Sequence, residues 1–315
     1  MNVIRLTSGQ YHDIAGAGFT GRLTIGLTGD LDFEVETPGM ESHRRANRVA
    51  IRNPEHDTEI TVLPGYGHTQ FPTGTKLFVA LDYDSAGGTA HHVELPTFEV
   101  GGLRSFPVAA VLPRAGTVRF IAAEANSDSI LDAGSAGVRS ALRSSIDRDS
   151  LPEGRRRDVT VLLDVSASMQ ASTSPEAFDA ICAFAAGVLA TASGDRVLRL
   201  ATSSSAIPMQ RLDGVEDVRQ LSSREFPRRE VGWSMDFARL DPADALVVVS
   251  DDMPAEVMRH GGAVHLLTAR EPVAPSRLSH TIFDQHLIAA VRDQDAAALA
   301  VPSRIMFDTL TRGEN

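Results

Sequence analysis

Hydrophobic and polar positions follow two different rhythms along this chain. Up to residue 124 they form short alternating or apolar runs, among them Leu23–Leu27, Arg48–Ile51, Glu59–Val62, Lys76–Leu81 and Val118–Ala122, separated by Gly, Pro and Asp turns. No long helical period interrupts them. This predicts a mostly-β first half, with a β-sandwich as the default. Between 125 and 156 the residues become small, polar and charged, and a weakly amphipathic piece runs through Ile130, Leu131, Val138 and Leu142. That stretch reads as a linker carrying one helix.

The second rhythm starts at Asp158. Val159–Leu163 is almost continuously apolar, which suits a strand buried on both faces of a parallel sheet. Ser174 can cap a following helix, Pro175 fits its first turn, and Phe178, Ile181, Cys182, Ala185, Val188 and Leu189 recur at helical spacing. Strand Val197–Ala201, helix Val215–Leu221, strand Ala245–Ser250, a short helix from Pro254, strand Ala263–Leu267 and a helix near Phe283–Leu299 complete the series. Regular alternation of strand and helix predicts a doubly wound α/β domain over 157–315, with helices on both sides of a parallel sheet.

Composition narrows the function. A chain of 315 residues, 43% hydrophobic and 23% charged, has the makeup of an ordinary globular protein, and two domains is the natural reading of its length. No run reaches eighteen apolar residues and the N-terminus lacks a secretory pattern, so a cytoplasmic protein with no membrane partner is expected. The formal net charge of −11 argues against a nucleic-acid surface. The one basic run, Arg155-Arg156-Arg157, reads as the solvated entry to a strand. Cys182 is the single cysteine, has no basic neighbour in sequence to activate it, and reads as a small core residue.

In α/β sheets ligands bind beyond the carboxyl ends of the strands, so the residues following each apolar run carry the chemistry. Asp164-Val165-Ser166-Ala167-Ser168 follows the first such strand, Asp251-Asp252 follows Ala245–Ser250, and the loop Gly232-Trp233-Ser234-Met235-Asp236 lies between. All offer hard oxygens, with no His or Cys at these strand ends, a set that suits Mg²⁺ or Mn²⁺ better than zinc. Side chains two apart in extended backbone share a face and can converge on one ion. With one carboxylate from Asp164 and one from Asp251, a divalent ion keeps an appetite for an outside carboxylate. The same residues also suit helix caps and turns, common roles for Ser and Asp.

The stretch Val159–Met169 resembles the Asp-x-Ser-x-Ser metal-ion-dependent adhesion motif of von Willebrand factor A domains. That resemblance covers Asp158 to the C-terminus. It implies Asp164, Ser166 and Ser168 as first-loop ligands, Asp251 as the distal carboxylate, and Ser234 standing where the family has a threonine. It also implies a scaffold that binds an acidic side chain of a protein partner through the metal. The first half, with Gly26-Leu27 followed by Asp30 and Asp32 and a run of short strands, is similar to the TerD-type tellurium-resistance domain, a calcium-binding β-sandwich, though it lacks that family's acidic, glycine-rich loop. In some bacterial tellurium-resistance proteins such a domain precedes a von Willebrand A domain, which implies a stress-response setting. Calcium candidates are Asp30 with Asp32 and Asp82 with Asp84, which otherwise read as two acidic turns. His91-His92 has no spaced partner and reads as a solvated loop.

Two other functions stay open at this level. Von Willebrand A domains also serve as accessory subunits of ATPase machines of the chelatase type. A hydrolase built on Ser166, Asp251 and a histidine is disfavoured, because no Gly-x-Ser-x-Gly elbow is present, nor a phosphate-binding Gly-x-x-x-x-Gly-Lys loop, Lys76 being the only lysine. A non-enzymatic binding protein is the expectation.

Overall fold

The computed structural model describes residues 2–15, 19–29, 31–85, 87–123, 131–146, 148, 156–193, 196–226, 231–272 and 279–311. The chain forms two compact units, Met1–Ala125 and Asn126–Asn315.

The first unit holds twelve strands among its described residues: β1 (Asn2–Arg5), β2 (Tyr11–Ala15), β3 (Thr20–Leu27), β4 (Phe33–Glu36), β5 (Glu41–Arg45), β6 (Arg48–Arg52), β7 (Thr58–Pro64), β8 (Lys76–Asp84), β9 (Ala90–Glu94), β10 (Phe98–Glu99), β11 (Phe106–Arg114) and β12 (Thr117–Ala122). One sheet runs β1-β9-β8-β3-β6-β5, with β10 also on β8, and the other runs β2-β12-β11-β7-β4. Alternate residues of both, such as Leu23, Ile25, Leu81 and Val93 from one sheet and Ile60, Val62, Val108 and Phe120 from the other, meet in a single apolar core. This is the sandwich that period-two patterning predicts. The central strand β11 contains Pro107, whose missing donor is accommodated where the register against β7 shifts between Pro107 and Ala109.

The second unit contains α1 (Ala133–Ile146), β13 (Val159–Leu163), α2 (Ala167–Ser172), α3 (Pro175–Ala192), β14 (Leu198–Thr202), β15 (Gln210–Leu212), α4 (Val215–Arg219), β16 (Ala245–Val249), β17 (Val264–Thr268), β18 (Ser279–Ile282), α5 (Gln285–Asp293) and α6 (Ala296–Thr311). Its sheet runs β15-β14-β13-β16-β17-β18. Every pairing is parallel except that of the edge strand β15. From β13 the chain steps to β14 on one side, then returns to β16 on the other and continues outward. The strand order therefore reverses between β13 and β16, the place where open parallel sheets form a crevice.

Three sequence-level expectations need correcting. The helix assigned to a linker is a core helix: Val138, Ala141 and Leu142 of α1 are buried in the same apolar cluster as α3, α5 and α6. It packs closely enough that a Cβ on Gly187 of α3 would lie 2.5 Å from the Ser135 carbonyl oxygen. Among the described residues the sheet is also not covered by helices on both faces. Val161, Leu200 and Val247 face the helical layer. On the other face, Leu162, Leu246, Val248 and Leu266 pack under Trp233, Met235, Phe237, Leu240, Met253 and Val257. These come from the two segments directly on either side of β16, which among the described residues hold only single 3₁₀ turns at Phe237–Arg239 and Val257–Arg259. Large apolar side chains on the irregular connections exclude water there without a helix. The helix expected over Phe283–Leu299 is two, broken where Gln294 takes a left-handed conformation at φ 57°. Among the described residues α3 alone is long and apolar enough to cross a membrane, and it is mostly buried inside the fold.

Candidate functional site

The carboxyl ends of β13, β14, β16 and β17 deliver polar residues to one rim. Asp164 directly follows β13. Its Oδ1 accepts from the Ser166 backbone N–H at 2.8 Å and its Oδ2 from the Ser250 hydroxyl at 2.7 Å. Ser166 starts α2 as its N-cap, its hydroxyl accepting from Met169 N–H at 3.4 Å, so the capping role and the site role fall on one residue. The Ser166 and Ser168 hydroxyls are 3.0 Å apart, and Ser168 donates to Asp251 Oδ1 at 3.5 Å. Four sequence-predicted residues, Asp164, Ser166, Ser168 and Asp251, therefore meet in one oxygen cluster.

Ser234 stands one step further out. Its backbone N–H donates to the Ser203 carbonyl at 2.9 Å, and the Ser203 hydroxyl accepts from Val165 N–H, so Ser203 joins this loop to the Asp164 loop. The Ser234 hydroxyl itself accepts from Ser205 N–H at 3.0 Å. Asp252 bonds the cluster only through its backbone N–H, which donates to the Ser250 hydroxyl at 3.3 Å, and its Oδ1 accepts from Met253 N–H at 2.8 Å. Three members were missed from sequence, Ser203, Ser250 and Arg270. Each follows or ends an apolar strand run, so the rule that singled out Asp164 and Asp251 would have found them had it been applied to every strand.

Arg270 lies beyond β17. Its Nε donates to the Asp251 carbonyl at 3.1 Å and its Nη2 to Asp251 Oδ2 at 2.9 Å. The two carboxylates are thus unequal. Both are nearly inaccessible, Asp164 at 4% and Asp251 at 5% exposure. Asp251 has a guanidinium, whereas Asp164 has no ion pair among the described residues, only neutral donors. The amino ends of the strands show what a structural buried aspartate looks like here: Asp244, just before β16, accepts from Arg199 at 2.8 Å and from the Thr160 hydroxyl at 2.8 Å. A buried carboxylate without a cation is costly, and that cost is relieved by an ion. Among the described residues no three His, Cys, Asp or Glu side chains group as metal ligands. An ion here would rest on hydroxyls as well as carboxylates, an all-oxygen set that fits a small hard cation.

Beside Asp164 and Ser166 a cavity of about 220 Å³ opens, walled by Met169, Thr173, Pro175 and Phe178 of the α2–α3 region and by Phe226. The cluster is therefore flanked by an apolar recess able to take an aliphatic side chain.

No protein-family model, curated protein or solved structure matches the chain.

The candidates in the first unit are dispersed. Asp30 lies outside the described residues. Asp32, just before β4, is paired with Arg44. Asp82 and Asp84 share a face of β8 in the other sheet, and Asp82 Oδ1 is 2.6 Å from His92 Nδ1. The carboxylates of Asp32 and Asp82 thus already have partners. His91 and His92 are in strand β9 and not in a loop, as the sequence reading had them. His91 stacks on Tyr83 at 4.8 Å, and the Tyr83 hydroxyl is 2.6 Å from His12 Nε2. Burial, with His91 adding repulsion, lowers the pKa of His12. Cys182 is enclosed in α3, and burial pushes its thiol up to about 12.

Proposed function

We propose that the second unit is a von Willebrand A-type domain whose Asp164, Ser166, Ser168 and Asp251 hold one Mg²⁺ or Mn²⁺, and that the chain works by binding an acidic side chain of a protein partner at that ion. Ser234 would serve through the hydrogen bond that ties its loop to Ser203. The observation that carries this reading is the buried carboxylate of Asp164, which has hydroxyl and backbone donors but no cation, at the point where the strand order reverses. A bound ion would neutralise that carboxylate and leave coordination open toward the exposed Ser168. The apolar recess beside it would receive a neighbouring residue of the same partner.

A hydrolytic role finds less support, because the Ser166 hydroxyl bonds Ser168 and the Met169 backbone instead of a histidine. The resemblance of the first unit to TerD-type domains makes a bacterial tellurium-resistance or stress-response setting the natural context. The reading does not extend to calcium, since Asp32 and Asp82 are already paired.

The test is a thermal melt followed by Trp233 fluorescence, with Mg²⁺ against chelator. A ligand that binds only the folded state at a hundredfold excess over its Kd stabilises by about 2.7 kcal/mol. For a domain of this size that is a rise of about 5–10 °C. Asp164→Ala and Asp251→Ala should lose the rise and Asp252→Ala should keep it. A rise that persists in Asp164→Ala removes the proposal.

A further inference from the structure

The unequal treatment of the two carboxylates has a consequence for what the site accepts. We infer that Arg270 sets the charge of the site so that a bound divalent ion is neutralised only when one external carboxylate joins it, making this a receptor for a single carboxylate whose metal affinity depends on that partner. This rests on the metal-site reading above.

The charged groups tied to the cluster by hydrogen bonds are Asp164, Asp251 and Arg270. Asp252 is joined to the cluster only through its backbone N–H, which donates to the Ser250 hydroxyl, while its Oδ1 accepts from Met253 N–H. Two carboxylates and one guanidinium leave one negative charge, which a divalent ion converts into one positive charge. A single carboxylate brings the assembly to neutrality. Without Arg270, the ion and the two aspartates would balance with no partner at all, so the appetite for an outside carboxylate that the sequence assigned to the two aspartates alone depends instead on Arg270.

The guanidinium is also held in place independently of its charge partner. Its Nε is anchored on the Asp251 main-chain carbonyl, and the Arg270 backbone is fixed by the Thr268 hydroxyl, which donates to Arg270 C=O at 2.9 Å. Arg270 engages only Oδ2 of Asp251, leaving Oδ1 toward Ser168 and the site. Its side chain is 48% exposed, and Nη1 has no partner among the described residues. The exposed guanidinium presents the planar fork with which arginine recognises carboxylates.

Mn²⁺ binding to the full chain, read by the electron paramagnetic resonance signal of the free ion, tests this. Unsubstituted protein, Arg270→Gln, Arg270→Lys and Asp164→Ala are titrated in chloride and in rising acetate at constant ionic strength. In chloride, Arg270→Gln should bind Mn²⁺ roughly tenfold tighter than the unsubstituted protein, a factor within the usual range of coupling between sites. Arg270→Lys, which keeps the charge, should stay near the unsubstituted value. Acetate should tighten Mn²⁺ binding in the unsubstituted protein and in Arg270→Lys, and have little effect in Arg270→Gln. Equal or weaker binding in Arg270→Gln, or an equal acetate effect in it, overturns the inference. If Asp164→Ala abolishes binding while Arg270→Gln changes nothing, the inference alone fails. If Asp164→Ala binds as the unsubstituted protein does, the metal site falls and the inference falls with it.

Discussion

Replacing Gly187 by alanine in α3 asks whether α1 belongs to the second unit's core, because two physical effects pull in opposite directions. In a helix interior, alanine is favoured over glycine by about 1 kcal/mol, so a helix with nothing against this position would gain stability. Against that, a Cβ at Gly187 would sit 2.5 Å from the Ser135 carbonyl oxygen, 2.7 Å from Val138 Cβ and 3.0 Å from Val138 Cγ1. The Ser135 oxygen is backbone, so it cannot swing aside, and relief requires α1 to move off α3. Overpacking of this kind costs about 1–3 kcal/mol, occasionally more. A rigid backbone contact belongs at the upper end, since the movement also loosens Val138 and Leu142, both fully buried. The net expectation is a loss of about 1–2 kcal/mol. That lowers the melting temperature by about 2–8 °C for a unit of this size. Trp233, the only tryptophan, lies in this unit, so its fluorescence follows this transition in the full chain. Leu142→Ala, which empties the same interface from the α1 side, should cost about 2–5 kcal/mol. A melting temperature that rises in Gly187→Ala would show that α1 does not pack here, and a fragment starting at residue 157 would then fold alone.

Two further expectations concern buried titratable groups. His265 in β17 is fully buried with its ring nitrogens 2.9 Å from the Ser279 and Thr281 hydroxyls, and burial, helped by His280, holds its pKa down to about 3 against an ordinary 6.5. The unfolded chain therefore takes up a proton below pH 6.5 that the folded one refuses, so stability is constant from this source above 6.5 and falls as pH drops toward 3. Between pH 7 and 5 the loss is about 2 kcal/mol. Denaturant melts of His265→Gln should show a correspondingly smaller loss over that interval, and an identical loss would place the pH dependence elsewhere. The Cys182 thiol, raised to about 12 by burial, should resist a disulfide-exchange reagent at pH 8 in the native protein and react at once in denaturant. Native reaction at the rate of a free thiol would refute its enclosure.

Much of the second sheet was legible because a strand buried on both faces must be apolar throughout, and Val159–Leu163 and Ala245–Val249 are. Other elements were hidden by residues whose local preference is overruled by packing. Helix α1 carries Gly134 and Gly137, which lower helix propensity and make the segment look like a linker. At Gly137 a neighbour presses, since a Cβ there would lie 2.9 Å from Gln294, whereas at Gly134 a Cβ would make only ordinary contact with Val291 at 3.4 Å. Strand β11 was concealed by Pro107 and Pro113, which read as turn residues until the register shift beside Pro107 is seen. Strand β18, Ser-His-Thr-Ile, is too short and polar to stand out from its flanks, and it pairs only with β17.

The oxygen cluster was legible in its residues and illegible in its charge. Asp164, Asp244 and Asp251 all flank apolar strands and look equivalent along the sequence, yet each is compensated differently. Asp244 is paired with Arg199, Asp251 with Arg270, and Asp164 only with hydroxyl and backbone donors. Which aspartate receives an arginine depends on strand order, because β14 and the end of β17 bring Arg199 and Arg270 from distant parts of the chain to opposite strand ends of one sheet. Local spacing carries no trace of that pairing. An oxygen motif read from sequence therefore identifies where an ion can sit, whereas the charge left for a partner to complete follows only once the neighbouring strand ends are known.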